Sequence, residues 1–319
     1  MTTSHFKKGV LFCLIAGICF GAQWPVAGRA LKHIDPFFFT LIRYLIVAVV
    51  LSIILFFTEG AKSFKTEGKL VPIWFYGSMA FCAYNFLVFL GQKMAGDNGA
   101  ILGSILMALI PMVSLLVLWV YKKNRPANVT LLLVAVSFIG VLLVVTKGDI
   151  AFFANSNKQA VPIILMSISV LAWVLYTIGG SSFPEWSSLR YTALSCIYGN
   201  VTSIVVISIF VILGKVEVPA VNQVMEIKWE MMYMSIFAGV IGVFAWNIGN
   251  KILTPINGSL FMNLVPIVSF MISIITGYKM SPVEAGGAFL TIGAIVLNNI
   301  YQRRRSVMPA VRTSKKEAV

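Results

Sequence analysis

The sequence predicts an all-α membrane protein of ten transmembrane helices, arranged as two inverted five-helix repeats. Three observations predict it. First, 59% of the 319 residues are hydrophobic and only 11% are charged, whereas soluble chains carry roughly 25% charged residues. A soluble fold has no way to hide so much apolar side chain. Second, the apolar residues fall into ten runs of about 20, the length that crosses roughly 30 Å of hydrocarbon. Third, one phrase occurs twice. Residues 103–115 read GSILMALIPMVSL and residues 258–270 read GSLFMNLVPIVSF, with seven identities in thirteen positions. Pro111 and Pro266 lie close to half a chain length apart.

The first run, about 9–31, follows Lys7 and Lys8 and carries Gln23 and Trp24. It is too long for the apolar core of a signal peptide, and each half needs it to reach five spans. The second, about 36–57, opens on Ile42-Arg43-Tyr44. The third, about 72–93, carries Tyr84, Asn85 and Val88 and ends Gly91-Gln92-Lys93. The fourth, about 98–120, holds Pro111; the fifth, about 129–147, holds Ile139-Gly140. After a loop at 148–159, the sixth run, about 160–180, carries Ser169, Trp173, Tyr176 and Thr177. The seventh, about 189–213, opens on Leu189-Arg190-Tyr191. The eighth, about 229–251, carries Trp246 and Asn247 and ends Gly249-Asn250-Lys251. The ninth, about 255–277, holds Asn263 and Pro266; the tenth, about 282–301, holds Ile292-Gly293. The chain therefore divides into a first repeat at 1–147, the loop 148–159, a second repeat at 160–302, and a basic, unstructured tail at 303–319.

Each match joins one run to the run five places later, in order. Five is odd, so two tandem copies insert in opposite orientations, related by a pseudo-two-fold axis in the membrane plane. That plan places a substrate near the midplane, between the repeats. Ten spans put both termini on one side. The short segments on that side hold the larger share of the Lys and Arg, so the termini are expected in the cytoplasm.

Composition also excludes functions. The net charge of +14 comes from residues between apolar runs, where it orients a membrane protein and is no nucleic-acid footprint. The four cysteines lie in apolar runs without a C-x-x-C pair, and two scattered histidines complete no metal set. No cofactor is expected. A membrane enzyme needs convergent acids, nucleophiles or metal ligands, and no acid falls at the centre of a run. That absence also removes the usual intramembrane proton relay and favours a neutral or zwitterionic guest.

The duplicated Leu109-Ile110-Pro111 and Leu264-Val265-Pro266, the paired Ile-Gly and the Arg at the start of the second run resemble the drug/metabolite transporter superfamily, EamA type. The resemblance covers about residues 8–302. Residues 184–194, PEWSSLRYTAL, look like the branch of YddG-type exporters of aromatic amino acids. The resemblance implies an exporter in the bacterial inner membrane, with a central cavity lined by spans one, three, four, six, eight and nine.

Candidate cavity residues are Gln23, Trp24, Tyr84, Asn85, Trp173, Tyr176, Trp246, Asn247 and Asn263. Amides in hydrocarbon face protein or water, so each of these is either interhelical glue or cavity lining. Asn263 shares one helical face with Ser259 and Pro266. Aromatic rings suit planar or cationic guests. Pro111 and Pro266 are candidate gating kinks. Arg43 and Arg190 either snorkel to headgroups or bind a substrate carboxylate. The glycines of G-x-x-x-G pairs at 17/21 and 99/103 allow close helix approach and leave monomer and homodimer equally open. The function expected is secondary transport of an amino acid, aromatic ones included, or a metabolite of that size, moved outward by alternating access. An importer, an antiporter, and a sensor or scaffold that moves nothing are compatible with the same spans.

Overall fold

The computed structural model describes residues 3–123, 125–148 and 157–316. All regular elements among them are helical. The membrane helices are α1 (Thr3–Ala30), α2 (Pro36–Glu59), α3 (Leu70–Met94), α4 (Gly96–Ala108 with Ile110–Val120), α5 (Asn128–Thr146), α6 (Asn157–Gly179), α7 (Ser188–Ile212), α8 (Lys228–Leu253), α9 (Asn257–Ile275) and α10 (Pro282–Lys316). Seven are long and apolar enough to span a bilayer as single helices. α4 spans as a bent pair, and α5 and the apolar part of α10, Pro282–Asn298, are shorter apolar helices. The chain is a ten-helix membrane protein of two five-helix repeats. The inter-repeat loop falls mostly outside the described residues. The tail differs from expectation: α10 continues as helix to Lys316, each further residue adding one hydrogen bond to a helix already nucleated.

Large apolar side chains line the outward faces, among them Val49 and Ile53 on α2, Ile164 and Ile168 on α6, and Phe289 and Leu297 on α10. Such continuous exposed apolar surface belongs against lipid. Helix starts are chemically marked. The Asp35 carboxylate accepts from Phe37 N at 2.8 Å, with Pro36 as the first helical residue of α2. Ser187 Oγ accepts from Arg190 N at 2.9 Å to open α7.

The packing repeats between halves. α1 packs on α8 and α9 of the other half, and α6 packs on α3 and α4. α2 lies against α7 and α8, and α7 lies against α2 and α3. α5 packs on α10. Every one of these contacts maps onto a partner, or onto itself, when each helix is exchanged for the one five places away. Two glycines fix the register. A Cβ on Gly91 of α3 would fall on Met166 and the Pro162 carbonyl of α6. A Cβ on Gly249 of α8 would fall on Cys13 and near the Gly9 carbonyl of α1. Carried along the helices, this register makes Phe20 equivalent to Trp173, Gln23 to Tyr176, Trp24 to Thr177, and Gln92 to Asn250. The paired Ile-Gly is a partial exception. Gly140 meets Gly287 and Thr291 across the α5–α10 contact, whereas nothing lies within 4 Å of a Cβ placed on Gly293.

Both halves break the same helices. α4 is interrupted at Leu109 and its two pieces meet at 45°. α9 contains a 3₁₀ turn at Leu260–Asn263 before Leu264–Ile275. Pro111 and Pro266 sit in the first turn of the second pieces, where a missing N–H leaves no helical bond unmade. The 3₁₀ turn also breaks the α-helical spacing on which a shared face for Ser259, Asn263 and Pro266 depends. α3 and α8 each carry a π-helical stretch, Met79–Tyr84 and Tyr233–Gly242. The wider turn shifts the helical face by one residue and is frequent at functional sites.

Candidate functional site

Five buried rings fill the middle of the bundle. Trp173 lies 5.7 Å from Phe20, 5.0 Å from Tyr84, 5.5 Å from Tyr176 and 6.4 Å from Trp246, centroid to centroid. Phe20 and Trp173 are equivalent positions meeting edge to face at 88°, so this contact marks the pseudo-two-fold axis. Spacings of this kind favour aromatic association beyond simple burial.

A polar cluster lies on each side of the rings, at equivalent places. In the second half, Asn247 Nδ2 donates to Tyr176 Oη and to Thr192 Oγ1, both at 2.7 Å. Trp246 Nε1 donates to Thr177 Oγ1 at 3.2 Å. In the first half the cluster holds a charge. Arg43, 1% exposed, donates from Nε to Met234 O at 2.7 Å. Its Nη1 and Nη2 reach Asn85 Oδ1 and Gln23 Oε1, each at 3.4 Å. Tyr44 Oη donates to Asn85 Oδ1 at 3.3 Å, and Asn85 Nδ2 donates to Ala80 O at 2.6 Å. Met234 and Ala80 both belong to the π-helical stretches. A cation at bilayer depth costs about 2.5–3.5 kcal/mol on insertion scales, a cost that sets Arg43 apart from the other charges of the chain.

Beside the second cluster a cavity of about 340 Å³ opens among the ends of α6, α7, α8 and α9. Thr177, Phe183, Trp186, Tyr191, Asn247 and Lys251 are among its walls. It lies on the face at which α1 begins and α10 leaves the bundle, called the terminal face. The equivalent place on the opposite face is filled. There Gln92 Nε2 donates to Trp24 O at 2.8 Å, and Lys93 Nζ donates to Ile34 O at 3.2 Å. The Trp24 ring occupies the space a Cβ on Gly103 would need. Trp24 thus plugs in one half what Thr177 leaves open in the other. Among the described residues the larger cavity thus opens at the terminal face, while the equivalent α1–α3–α4 seam on the opposite face is closed.

The expected site residues divide accordingly. Asn247 lines the cavity, with Tyr176 and Trp246 directly behind it through hydrogen bonds. Tyr84 and Trp173 belong to the ring layer. Gln23 and Asn85 hold Arg43. Trp24 seals the opposite face. Asn263 stands apart, half-buried, its side-chain oxygen without a hydrogen-bond partner among the described residues. The walls at Phe183, Trp186 and Tyr191 fell outside the sequence reading. Arg-Tyr and Glu-Trp at 184–191 marked the start of a helix without showing which way it faces.

The two arginines separate. Arg43 lies two turns inside α2, whereas Arg190 stands in the first turn of α7. Arg190 Nη2 pairs with Glu67 Oε1 at 2.9 Å and donates to Lys65 O at 2.6 Å, and its guanidinium lies 4.3 Å from the Trp186 ring centre. Arg190 therefore already has its carboxylate. Hydrogen bonds from Arg190, and then from Trp186, hold the Glu67 carboxyl below the usual range. A lowered value stabilises the fold above the ordinary Glu pKa of about 4 and is lost as pH falls through the lowered value. The thermal midpoint of the purified protein should therefore drop a little on acidification below about pH 4, and Glu67→Gln should flatten that drop. An equal acid slope in the variant would remove Glu67 from the account.

Glu284 is the buried acid among the described residues. It sits at the start of α10 on the opposite face, bound by Tyr278 Oη at 2.6 Å, by Ser281 N at 2.8 Å and by Lys147 Nζ at 3.5 Å. No group of three or more His, Cys, Asp or Glu able to hold a metal occurs among the described residues.

A ten-helix inverted repeat with a cavity leading to a buried polar cluster beside an aromatic centre is the architecture of a membrane transporter. The EamA-like transporter family matches residues 7–146 and again residues 160–300, and the chain belongs to that family. It is 41% identical to the uncharacterized transporter YrdR of Bacillus subtilis over 314 residues, covering 97% of this chain and 98% of that one. It is 27% identical over 301 residues to YyaM, another uncharacterized transporter of Bacillus subtilis, covering 94% of each. A crystal structure 17% identical in sequence superposes with a TM-score of 0.65, covering 95% of this chain and 99% of the other. That likeness concerns the fold.

Proposed function

We propose that this transporter exports amino acids, aromatic ones included, or metabolites of that size, across the bacterial plasma membrane by alternating access, with both termini in the cytoplasm. The observation that carries the reading is the cavity of about 340 Å³ that opens at the terminal face and whose walls Thr177 and Asn247 hydrogen-bond to Trp246 and Tyr176 of the aromatic centre behind them. A site on the pseudo-two-fold axis is equally placed for both faces, as a carrier requires. The cavity volume lies within the range of small-ligand pockets. Asn247, Tyr176 and Thr177 supply neutral donors and acceptors, and Trp173 and Tyr84 supply flat apolar surface. The Lys and Arg bias supports a cytoplasmic open face, where an exporter loads.

Purified protein in liposomes loaded with single amino acids tests this. Counterflow is expected for at least one amino acid with an aromatic side chain. Asn247→Leu, which removes both 2.7 Å hydrogen bonds, should lower that flux about ten-fold, the size of one lost buried interaction. Absence of flux for every amino acid in both directions would end the cargo assignment. Cells overproducing the protein should tolerate toxic aromatic analogues; greater sensitivity would mean import.

A further inference from the structure

Arg43 is the buried cation of the bundle, and no carboxylate lies within ion-pair distance of it among the described residues. Its partners are three neutral oxygens. The bond to Met234 O is short at 2.7 Å, but those to Asn85 and Gln23 stretch to 3.4 Å, beyond the usual N–H···O range. A guanidinium has five donors in a fork that matches a carboxylate. The edge bearing Nη1 and Nη2 is the weakly satisfied one. Buried charges are normally paired, because an unpaired one loses its hydration without return. The ring faces of Tyr44 at 4.6 Å and Phe89 at 5.8 Å shield the guanidinium but do not neutralise it.

We propose that the missing anion is the cargo's own carboxylate, and that the transporter selects carboxylates as a class, with or without an amino group. The inference rests on the transport function proposed above. The carboxylate takes the Nη1–Nη2 edge of Arg43, displacing the long contacts to Gln23 and Asn85, while Nε keeps Met234 O. The cargo's apolar body reaches the buried rings of Tyr84 and Trp173 as they part to admit it; Tyr84 adjoins Asn85 of this cluster, and Trp173 packs on Tyr176, which Asn247 of the cavity wall binds. Among the described residues the bundle interior holds no acid to pair with an ammonium group, since Glu284 is engaged at the opposite face. The amino group is therefore dispensable. Arg190 has no part in this, because Glu67 already occupies it.

The test uses the reconstituted full chain and competition of flux by matched probes. These are each amino acid, its carboxamide, and the corresponding acid lacking the amino group, such as phenylalanine, phenylalaninamide and 3-phenylpropanoate. Acids with and without the amino group should compete alike, and carboxamides about ten-fold or more weakly. Arg43→Gln should lose that preference, and Arg43→Lys should keep part of it. The comparison of acid with amide in the parental protein needs no variant to fold. Equal competition by acid and amide overturns the inference while transport stands. So does an acid preference that survives in a monodisperse Arg43→Gln protein. A parental protein that recognises no member of any set overturns the amino-acid reading of the cargo and this inference together.

Discussion

Gly77→Ala is expected to destabilise the protein by about 2–3 kcal/mol, the upper part of the range for overpacking, and to lower its melting midpoint in detergent sharply. On helix propensity alone the sign would be opposite, because alanine is better than glycine by about 1 kcal/mol in a helix interior. The surroundings decide. A Cβ on Gly77 of α3 would fall on the carbonyl oxygen of Ser195 in α7, and one on Gly199 of α7 would fall on the carbonyl oxygen of Gly77. Both obstacles are backbone, so no side-chain rotation relieves them. The helices must separate. In a bilayer, close packing is much of what holds helices together, so separation forfeits attraction along their whole contact. The bonds of Trp74 Nε1 to Thr202 at 2.9 Å and Ser78 to Thr202 at 2.6 Å, on the same seam, would be strained too. Gly293→Ala is the control, with nothing within 4 Å of the added carbon. It should be neutral or slightly stabilising. Equal melting of Gly77→Ala and the parental protein would show that α3 and α7 pack less closely than described.

Much of the architecture is visible in the sequence because hydrophobic length and an odd duplication are coarse signals that survive local irregularity. The paired Leu-x-Pro segments mark the two helix breaks because proline acts through its own backbone. The π-helical stretches are invisible, since one extra residue per turn leaves the hydropathy unchanged. Arg43 and Arg190 show why site reading falls short. Both are preceded by a branched apolar residue and followed by tyrosine. Yet Asp35 starts α2 two turns before Arg43, whereas Ser187 starts α7 just ahead of Arg190. That difference sends one charge into the bundle and leaves the other at the rim. The Gly140–Gly287 contact makes a similar point. Sequence likeness paired Gly140 with Gly293, but which glycine meets a backbone depends on the rotation of α10, set by packing beyond the motif.

Joining residue 32 to residue 97 should stop transport altogether, and joining residue 29 to residue 230 should not. The reason lies in which helices form the moving bodies. Gly249 seats α8 on α1, and Gly17 and Gly21 seat α9 on α1. Gly91 seats α3 on α6. Close backbone contacts thus tie α1 to α8 and α9, and α6 to α3, across the boundary between sequence repeats; α4 packs on α6 as well. The cavity opens between α6–α7 and α8–α9, which is between these two bodies. On the opposite face the same seam, α1 against α3 and α4, is closed by Gln92, Trp24 and Lys93. Lys32 and Asp97 approach to 3.9 Å across that closed seam, and both are exposed. Arg29 and Glu230, 3.6 Å apart, link α1 to α8 within one body. Cysteines at 32 and 97, bridged by a short cleavable thiol reagent, should bring flux to background, and cleavage should restore it. The four native cysteines are buried and should not compete for the reagent. The bridged 29–230 pair should run near the parental rate. The reverse pattern would make the sequence repeats themselves the rigid units. Full flux with both pairs bridged would mean that the opposite face never opens along the α1–α4 seam, and alternating access through this centre would fail with it.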